Sequence, residues 1–145
     1  MNRVIRAIVA LVAGVLAWKA IATLATLLGR LIWPAYAAVE TQRIFTLDMF
    51  LTRLAVGALA TLIFGAVVAW IARSDKQTIY LIVAAWLLYS VVDHYIVWDQ
   101  FPVWYHLLYL AYIAPLALLG AKLVERVTGA RKMMRDAARL SGTQA

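Results

Sequence analysis

LAVGALATLIFGAVVAWIA, which spans residues 54–72, is an apolar stretch without a charged side chain. A helix needs about 20 mostly apolar residues to cross the hydrocarbon core of a bilayer. Residues 54–72 meet this requirement and predict a transmembrane helix. This stretch decides the fold class, because further segments of similar length and apolarity lie on both sides of it.

The whole chain is predicted to be an all-α membrane protein, folded as a four-transmembrane-helix bundle. The first predicted helix contains Lys19, the third contains Asp93 and His94 near its end, and the fourth is interrupted by Pro115. The bundle is predicted to form one domain over residues 1–129. In chain order, the predicted spans are residues 4–28, 54–72, 78–98 and 103–121.

Composition supports a membrane location. Hydrophobic residues make up 66% of the 145 residues and charged residues only 14%. A soluble protein of this size cannot hide so much apolar surface, because small domains have a high ratio of surface to volume. The chain contains no cysteine, which excludes disulfides, thiolate metal sites and iron–sulfur clusters.

The distribution of basic residues predicts the topology. The net charge is +7, but the basic residues flank apolar runs, which favours contacts with lipid headgroups and argues against nucleic acid as a partner. We predict that both termini are cytoplasmic, with loops 29–50 and 98–103 outside. The residues on the predicted cytoplasmic side are Arg3, Arg6, Arg73, Lys76, Lys122, Arg126, Arg131, Lys132, Arg135 and Arg139.

Residues 130–145 are predicted to form a cytoplasmic basic tail. Residues 130–140 have the pattern of a short amphipathic helix that could rest on anionic lipid, and a solvated tail is the alternative. The predicted lipid contacts are Arg131, Lys132, Arg135 and Arg139.

An alternative reading of the N-terminus is a cleaved signal peptide over Met1–Ala22. Arg3 and Arg6 would form its basic region, and Ala20–Ala22 would supply the small residues of a cleavage site. A full transmembrane span is favoured, because apolar character resumes over Ala20–Leu28 and makes the segment long enough.

The connection between the first two predicted helices is long and rich in aromatic and apolar residues, which favours a position along the membrane interface. At its end, Thr46 or Asp48 is predicted to cap the second helix by accepting hydrogen bonds from free backbone N–H groups.

Small residues predict how the helices pack. Gly57, Thr61, Gly65 and Ala69 recur every four residues and so lie on one face of the second helix. Small residues at this spacing allow membrane helices to approach closely. Because the first helix has a shorter version that includes Gly14, helices 1 and 2 are predicted to form a tight antiparallel pair.

Polar side chains within the spans are the candidate functional residues, since ionisable groups at membrane depth are rare. Lys19, Asp93 and His106 are each predicted to lie about 20 to 24 Å from the cytoplasmic end, at 1.5 Å per residue. They predict a polar layer in which Lys19 pairs with Asp93. The alternative is that Lys19 extends outward and the others meet water at the interface. Three more side chains could join the layer: Arg53, His94 and Asp48.

The turn between helices 3 and 4 is dense in aromatic residues, a pattern typical of an interfacial belt. These residues are Tyr95, Trp98, Phe101, Trp104, Tyr105, Tyr109 and Tyr112. His94 and His106 flank the same turn, which leaves open a bis-histidine haem or a metal site with Asp93. We predict neither, because histidines in an aromatic belt are more often interfacial than haem ligands and the spacing of the possible metal ligands is not diagnostic.

The segment WDQFPVWYHL, residues 98–107, resembles a pattern in small uncharacterised bacterial inner-membrane proteins. Gly120 and the helix end at residues 70–73, WIAR, are similar to them too. The resemblance covers about the second half of the chain. It implies a bacterial inner-membrane location and this topology, and it implies no activity or site residue.

The sequence predicts a non-enzymatic accessory or structural subunit that binds lipid, another membrane protein or a second copy of itself. No catalytic residue and no cofactor is predicted, because there is no credible pair of nucleophile and base. The first alternative is a small oligomeric transporter or channel that uses Lys19, Asp93 and His106. The second is a bis-histidine haem or metal-binding protein.

Overall fold

The computed structural model describes the backbone of residues 2–73 and 75–142, and side chains as far as residue 130. All of its elements are helical: α1 (Arg3–Ile32), α2 (Pro34–Val39), α3 (Leu47–Ala72), α4 (Lys76–Ile96), a 3₁₀ turn (Trp98–Gln100) and α5 (Val103–Gly142). Within the described residues, 4 helices are long and apolar enough to cross a membrane: α1, α3, α4 and the Val103–Ala130 part of α5. The predicted all-helical architecture with four membrane-compatible helices is confirmed.

Two helix boundaries differ from the prediction by more than four residues. Helix α3 begins at Leu47 instead of near residue 54, because Met49 and Phe50 are buried and hold its first turns against the bundle. Helix α5 continues through Gly142, so the backbone of the predicted tail is an extension of the last helix. The predicted lipid contacts of its side chains lie outside the described side chains and stay predictions: Arg131, Lys132, Arg135 and Arg139.

Local sequence accounts for several helix ends. The Asn2 side chain accepts a hydrogen bond from the Val4 backbone N–H (3.3 Å) and so caps α1. Pro34 occupies the first position of α2, where its missing N–H costs nothing. Thr46 lies at the cap position of α3 as predicted, but its hydroxyl donates to the Asp48 carboxylate and accepts no backbone hydrogen bond. The predicted capping bond is therefore wrong for Thr46, whereas the Asp48 carboxylate accepts hydrogen bonds from backbone N–H groups in the first turn, as predicted.

Helix α3 is the central helix and packs most extensively against α5 and α1, whereas α4 packs chiefly on α5. The closest approach is between α3 and α5. A Cβ atom added at Gly65 would lie 1.8 Å from the Ala117 carbonyl oxygen, and one added at Gly120 would lie 2.0 Å from the Leu62 carbonyl oxygen. The two backbones therefore touch, which only glycine permits at these positions.

This geometry corrects the predicted partner of the small-residue face. Its members are all buried, but Gly57 contacts Tyr109 and Tyr112, and Gly65 contacts Ala117, all on α5. Helix α1 does pack on α3, with Gly14 against Phe64. The tightest pair is therefore α3 with α5, because α5 carries Gly120 in register with the face. The buried residues of that face are Gly57, Thr61, Gly65 and Ala69.

An ion pair joins α1 to the turn before α4. The Arg3 guanidinium contacts the Asp75 carboxylate through Nε at 3.0 Å and donates to the Gln77 amide oxygen at 2.8 Å. A hydrogen bond from the Thr78 hydroxyl (2.7 Å), and secondly the charge of Arg3, hold the pKa of the Asp75 carboxyl below its ordinary value. This end of the bundle is thus fixed by polar contacts at its surface.

Candidate functional site

The opposite end of the bundle, here called the aromatic end, comprises α2, residues 40–46, the 3₁₀ turn and the helix termini that adjoin them. Ring contacts connect these elements. The Phe45 ring stacks on Tyr36 (centroids 5.7 Å apart) and on Phe101 (6.2 Å). Phe50 in turn contacts Tyr105 at 5.2 Å. The long first connection is therefore folded against the bundle by aromatic packing.

A hydrogen-bonded pair of histidines lies within this end. His94 is in the last turn of α4 and His106 in the first turns of α5, and the intervening 3₁₀ turn brings their Nδ1 atoms within 2.8 Å. His106 Nε2 lies 3.2 Å from the Trp98 carbonyl oxygen. His106 is fully buried and His94 is 7% exposed. Both rings thus have neighbours within the protein, and the alternative that they meet water at an interface does not describe His106.

The contacts assign the protons of this pair. A carbonyl oxygen only accepts, so His106 Nε2 must carry hydrogen and donate to Trp98. A neutral His106 then has its lone pair on Nδ1, and the hydrogen between the rings must belong to His94 Nδ1. His94 Nε2 is left unprotonated and able to accept a hydrogen bond.

Flat rings cover both histidines. Trp98 stacks on His106 with centroids 4.6 Å apart, and Tyr109 stacks on His94 at 4.2 Å. These contacts fix both ring planes, which a directional bond between two nitrogens requires.

Arg53 is the second unusual polar group. It lies on α3, its Nη1 donates to the Tyr36 hydroxyl at 2.7 Å, and its guanidinium lies 4.8 Å over the Phe45 ring. Among the described residues its Nε has no hydrogen-bond partner, and neither does the buried indole Nε1 of Trp18. Within the same part of the chain, no carboxylate forms a salt bridge with Arg53.

Two cavities meet at these residues. A polar cavity of about 520 Å³ lies beside residues 40–45 and the end of α4, and an apolar cavity of about 130 Å³ lies between α1 and α3. The polar cavity is lined by Glu40, Asp93 and His94, and the apolar one by Ala22, Ala25 and Gly29, among others. Both cavities share a wall formed by Trp18, Arg53, Tyr105 and Tyr109.

The structure brings together part of the predicted polar layer. Arg53, Asp93 and His94 line the polar cavity, and His106 is bonded to His94. Lys19 and Asp93 are both exposed, and no ion pair joins them. Asp48 lies in the first turn of α3 beside Thr46.

A double-mutant cycle measures whether Lys19 and Asp93 interact. Because neither contacts the other in the structure, we expect the effects of Lys19→Met and Asp93→Asn on the free energy of unfolding to add within about 0.5 kcal/mol. Unfolding in mixed micelles, followed by tryptophan fluorescence, gives these energies. A coupling well above that value would restore the predicted ion pair.

The direct bond between the histidines bears on the haem alternative. A bis-histidine haem needs both rings to point at an iron placed between them. Here the two Nδ1 atoms bond to each other, which leaves no gap between the rings. Among the described residues, no group of three or more metal-ligating side chains is present.

Comparison with protein-family models, curated proteins and solved structures finds no match for this chain. Sequence reasoning did not single out three residues of the site: Trp18, Tyr36 and Glu40. The α2 helix start at Trp33-Pro34 is the one signal that could have found Tyr36, because it turns the chain back toward α3.

Proposed function

We propose that this protein is a non-enzymatic integral membrane protein that binds a lipid-like amphiphile at the aromatic end and acts as an accessory protein of the bacterial inner membrane. The observation that carries the proposal is the shared wall of the two cavities. Arg53 and Trp18 line both a polar and an apolar space, and their buried donors Nε and Nε1 have no hydrogen-bond partner among the described residues. A molecule that carries oxygen acceptors next to an apolar chain would fit both the unpartnered donors and the apolar space.

Size and position support this assignment. The polar cavity of about 520 Å³ lies within the range of about 300 to 1,000 Å³ that is usual for sites of small molecules. The apolar cavity is lined by Ala22, Ala25 and Gly29, whose small side chains leave room along α1 for part of an acyl chain. Leaving a buried donor unpaired costs about 1 to 3 kcal/mol, so a ligand that supplies acceptors gains that energy.

The topology completes the proposal. Basic residues concentrate at the end of the bundle opposite the aromatic end, where Arg3 and Arg73 lie, so we place that end in the cytoplasm. The aromatic end and its cavities then face the outer leaflet.

Filling the apolar cavity tests lipid binding. We expect Ala25→Trp to weaken the binding of phospholipid by about tenfold, because the indole would occupy the space of the chain. Native mass spectrometry of detergent-purified protein, titrated with phospholipid, gives the affinity. Ala20→Trp is the matched control, since Ala20 is exposed on the same helix and should bind lipid as the wild type does. Equal affinity of both variants would contradict the proposed function.

A further inference from the structure

We infer that the polar cavity recognises a zwitterionic phosphodiester headgroup, with the phosphate bound by Arg53 and Trp18 and the ammonium group by Asp93. This inference rests on the proposed function and names the class of lipid that the site selects. It is carried by two charges of opposite sign, Arg53 and Asp93, that line one cavity and form no salt bridge within the described part of the chain.

The phosphate side is defined by unused donors. The Arg53 guanidinium forms hydrogen bonds with the Tyr36 and Tyr105 hydroxyls and one of its faces is covered by Phe45, whereas the buried Nε has no partner among the described residues. The Nε–Nη2 edge of a guanidinium is the fork that binds phosphate through two parallel hydrogen bonds. Trp18 Nε1 supplies one further donor from α1 on the same wall. Tyr36, Tyr105 and Phe45 thus orient a guanidinium that lines the cavity and whose buried Nε has no partner among the described residues.

The ammonium side is defined by unused acceptors. Two carboxylates line the cavity, but Glu40 is already paired with Arg30, whereas Asp93 forms no ion pair with any of the described side chains. His94 lines the same cavity and, by the proton assignment above, has an unprotonated Nε2. Carboxylate, imidazole nitrogen and the neighbouring faces of Phe101 and Tyr105 are all groups that attract a cation.

A ligand with a single negative charge would pair with fewer of the polar groups that line the cavity. A ligand with phosphate alone would match Arg53 and leave the Asp93 carboxylate unpaired beside it, where like charges repel. Because Arg53 and Asp93 form no salt bridge with each other, both remain free for a ligand that carries both charges. The cavity of about 520 Å³ has room for such a headgroup.

Two phospholipids with the same phosphodiester and acyl chains isolate the ammonium group: phosphatidylethanolamine carries it and phosphatidylglycerol does not. We expect the full-length protein to bind phosphatidylethanolamine about tenfold more tightly in native mass spectrometry at neutral pH. Asp93→Asn should abolish this preference without weakening the binding of phosphatidylglycerol, because the substitution removes a repulsive charge for that lipid. Arg53→Gln should weaken both lipids by about tenfold, and Arg53→Lys should restore little, because the ammonium lacks the fork.

Asp99→Asn is the control for Asp93→Asn, since Asp99 is an exposed carboxylate on the nearby 3₁₀ turn and should leave the preference unchanged. Soluble glycerophosphoethanolamine and inorganic phosphate identify the source of the headgroup: competition by the former and not the latter supports the inference. Equal wild-type affinities for the two lipids would overturn it while leaving lipid binding intact. If Ala25→Trp bound phospholipid as tightly as the wild type, the proposed function would be overturned instead.

Discussion

Replacing Gly65 with alanine should destabilise the bundle by about 3 kcal/mol, at the upper end of what overpacking usually costs. The new Cβ would lie 1.8 Å from the Ala117 carbonyl oxygen, so α3 and α5 would have to separate. The obstacle is backbone, which cannot turn aside as a side chain would. Equilibrium unfolding in mixed micelles, followed by tryptophan fluorescence, measures the loss of free energy.

Gly129→Ala is the matched control on α5. Nothing lies within 4 Å of a Cβ added at Gly129, and the residue is exposed. Alanine is favoured over glycine in a helix interior by about 1 kcal/mol, so this variant should be as stable as the wild type or more so. The two substitutions are chemically identical, but their effects on the free energy of unfolding should differ in sign. If both left stability unchanged, the direct contact between the α3 and α5 backbones would be wrong.

The membrane architecture could be predicted because it depends on length and apolarity alone. Residues 54–72 need no partner to be recognised as a span, since the bilayer itself satisfies their apolar side chains. The partner of that helix could not be predicted in the same way. Gly65 fits any helix that offers a small surface, and only the register of Gly120 on α5 decides which helix approaches.

The candidate site was predicted in its residue types and not in its contacts. Asp93 and His106 stood out because ionisable groups are rare in a membrane span. The rise per residue of a helix placed them at a similar depth in the membrane. Depth alone does not give the direction in which a side chain points. The hydrogen bond between His94 and His106 depends on the 3₁₀ turn between them. The orientation of the Arg53 side chain depends on its hydrogen bond to Tyr36 from α2. Both are tertiary contacts for which one sequence holds no periodic signal.

Substituting His106 with phenylalanine should cost about 3 kcal/mol of unfolding free energy. Phenylalanine fills most of the volume of this fully buried ring, so the loss is chiefly polar. The Trp98 carbonyl would lose its donor, and the His94 Nδ1–H would lose its acceptor. The same unfolding measurement in mixed micelles gives the value.

The double variant separates the bond from the packing. Once His106 is phenylalanine, replacing His94 as well removes a group that no longer has a partner, so the double variant should lose less than the sum of the single variants, by about 1 to 2 kcal/mol. Nitrogen-15 chemical shifts of the histidine rings provide a readout that packing alone would not change. We expect hydrogen on Nε2 of His106 and on Nδ1 of His94 in the wild type. Additive energies, or hydrogen on Nε2 of both rings, would contradict the bond between the two Nδ1 atoms and remove the acceptor that His94 Nε2 offers to the polar cavity.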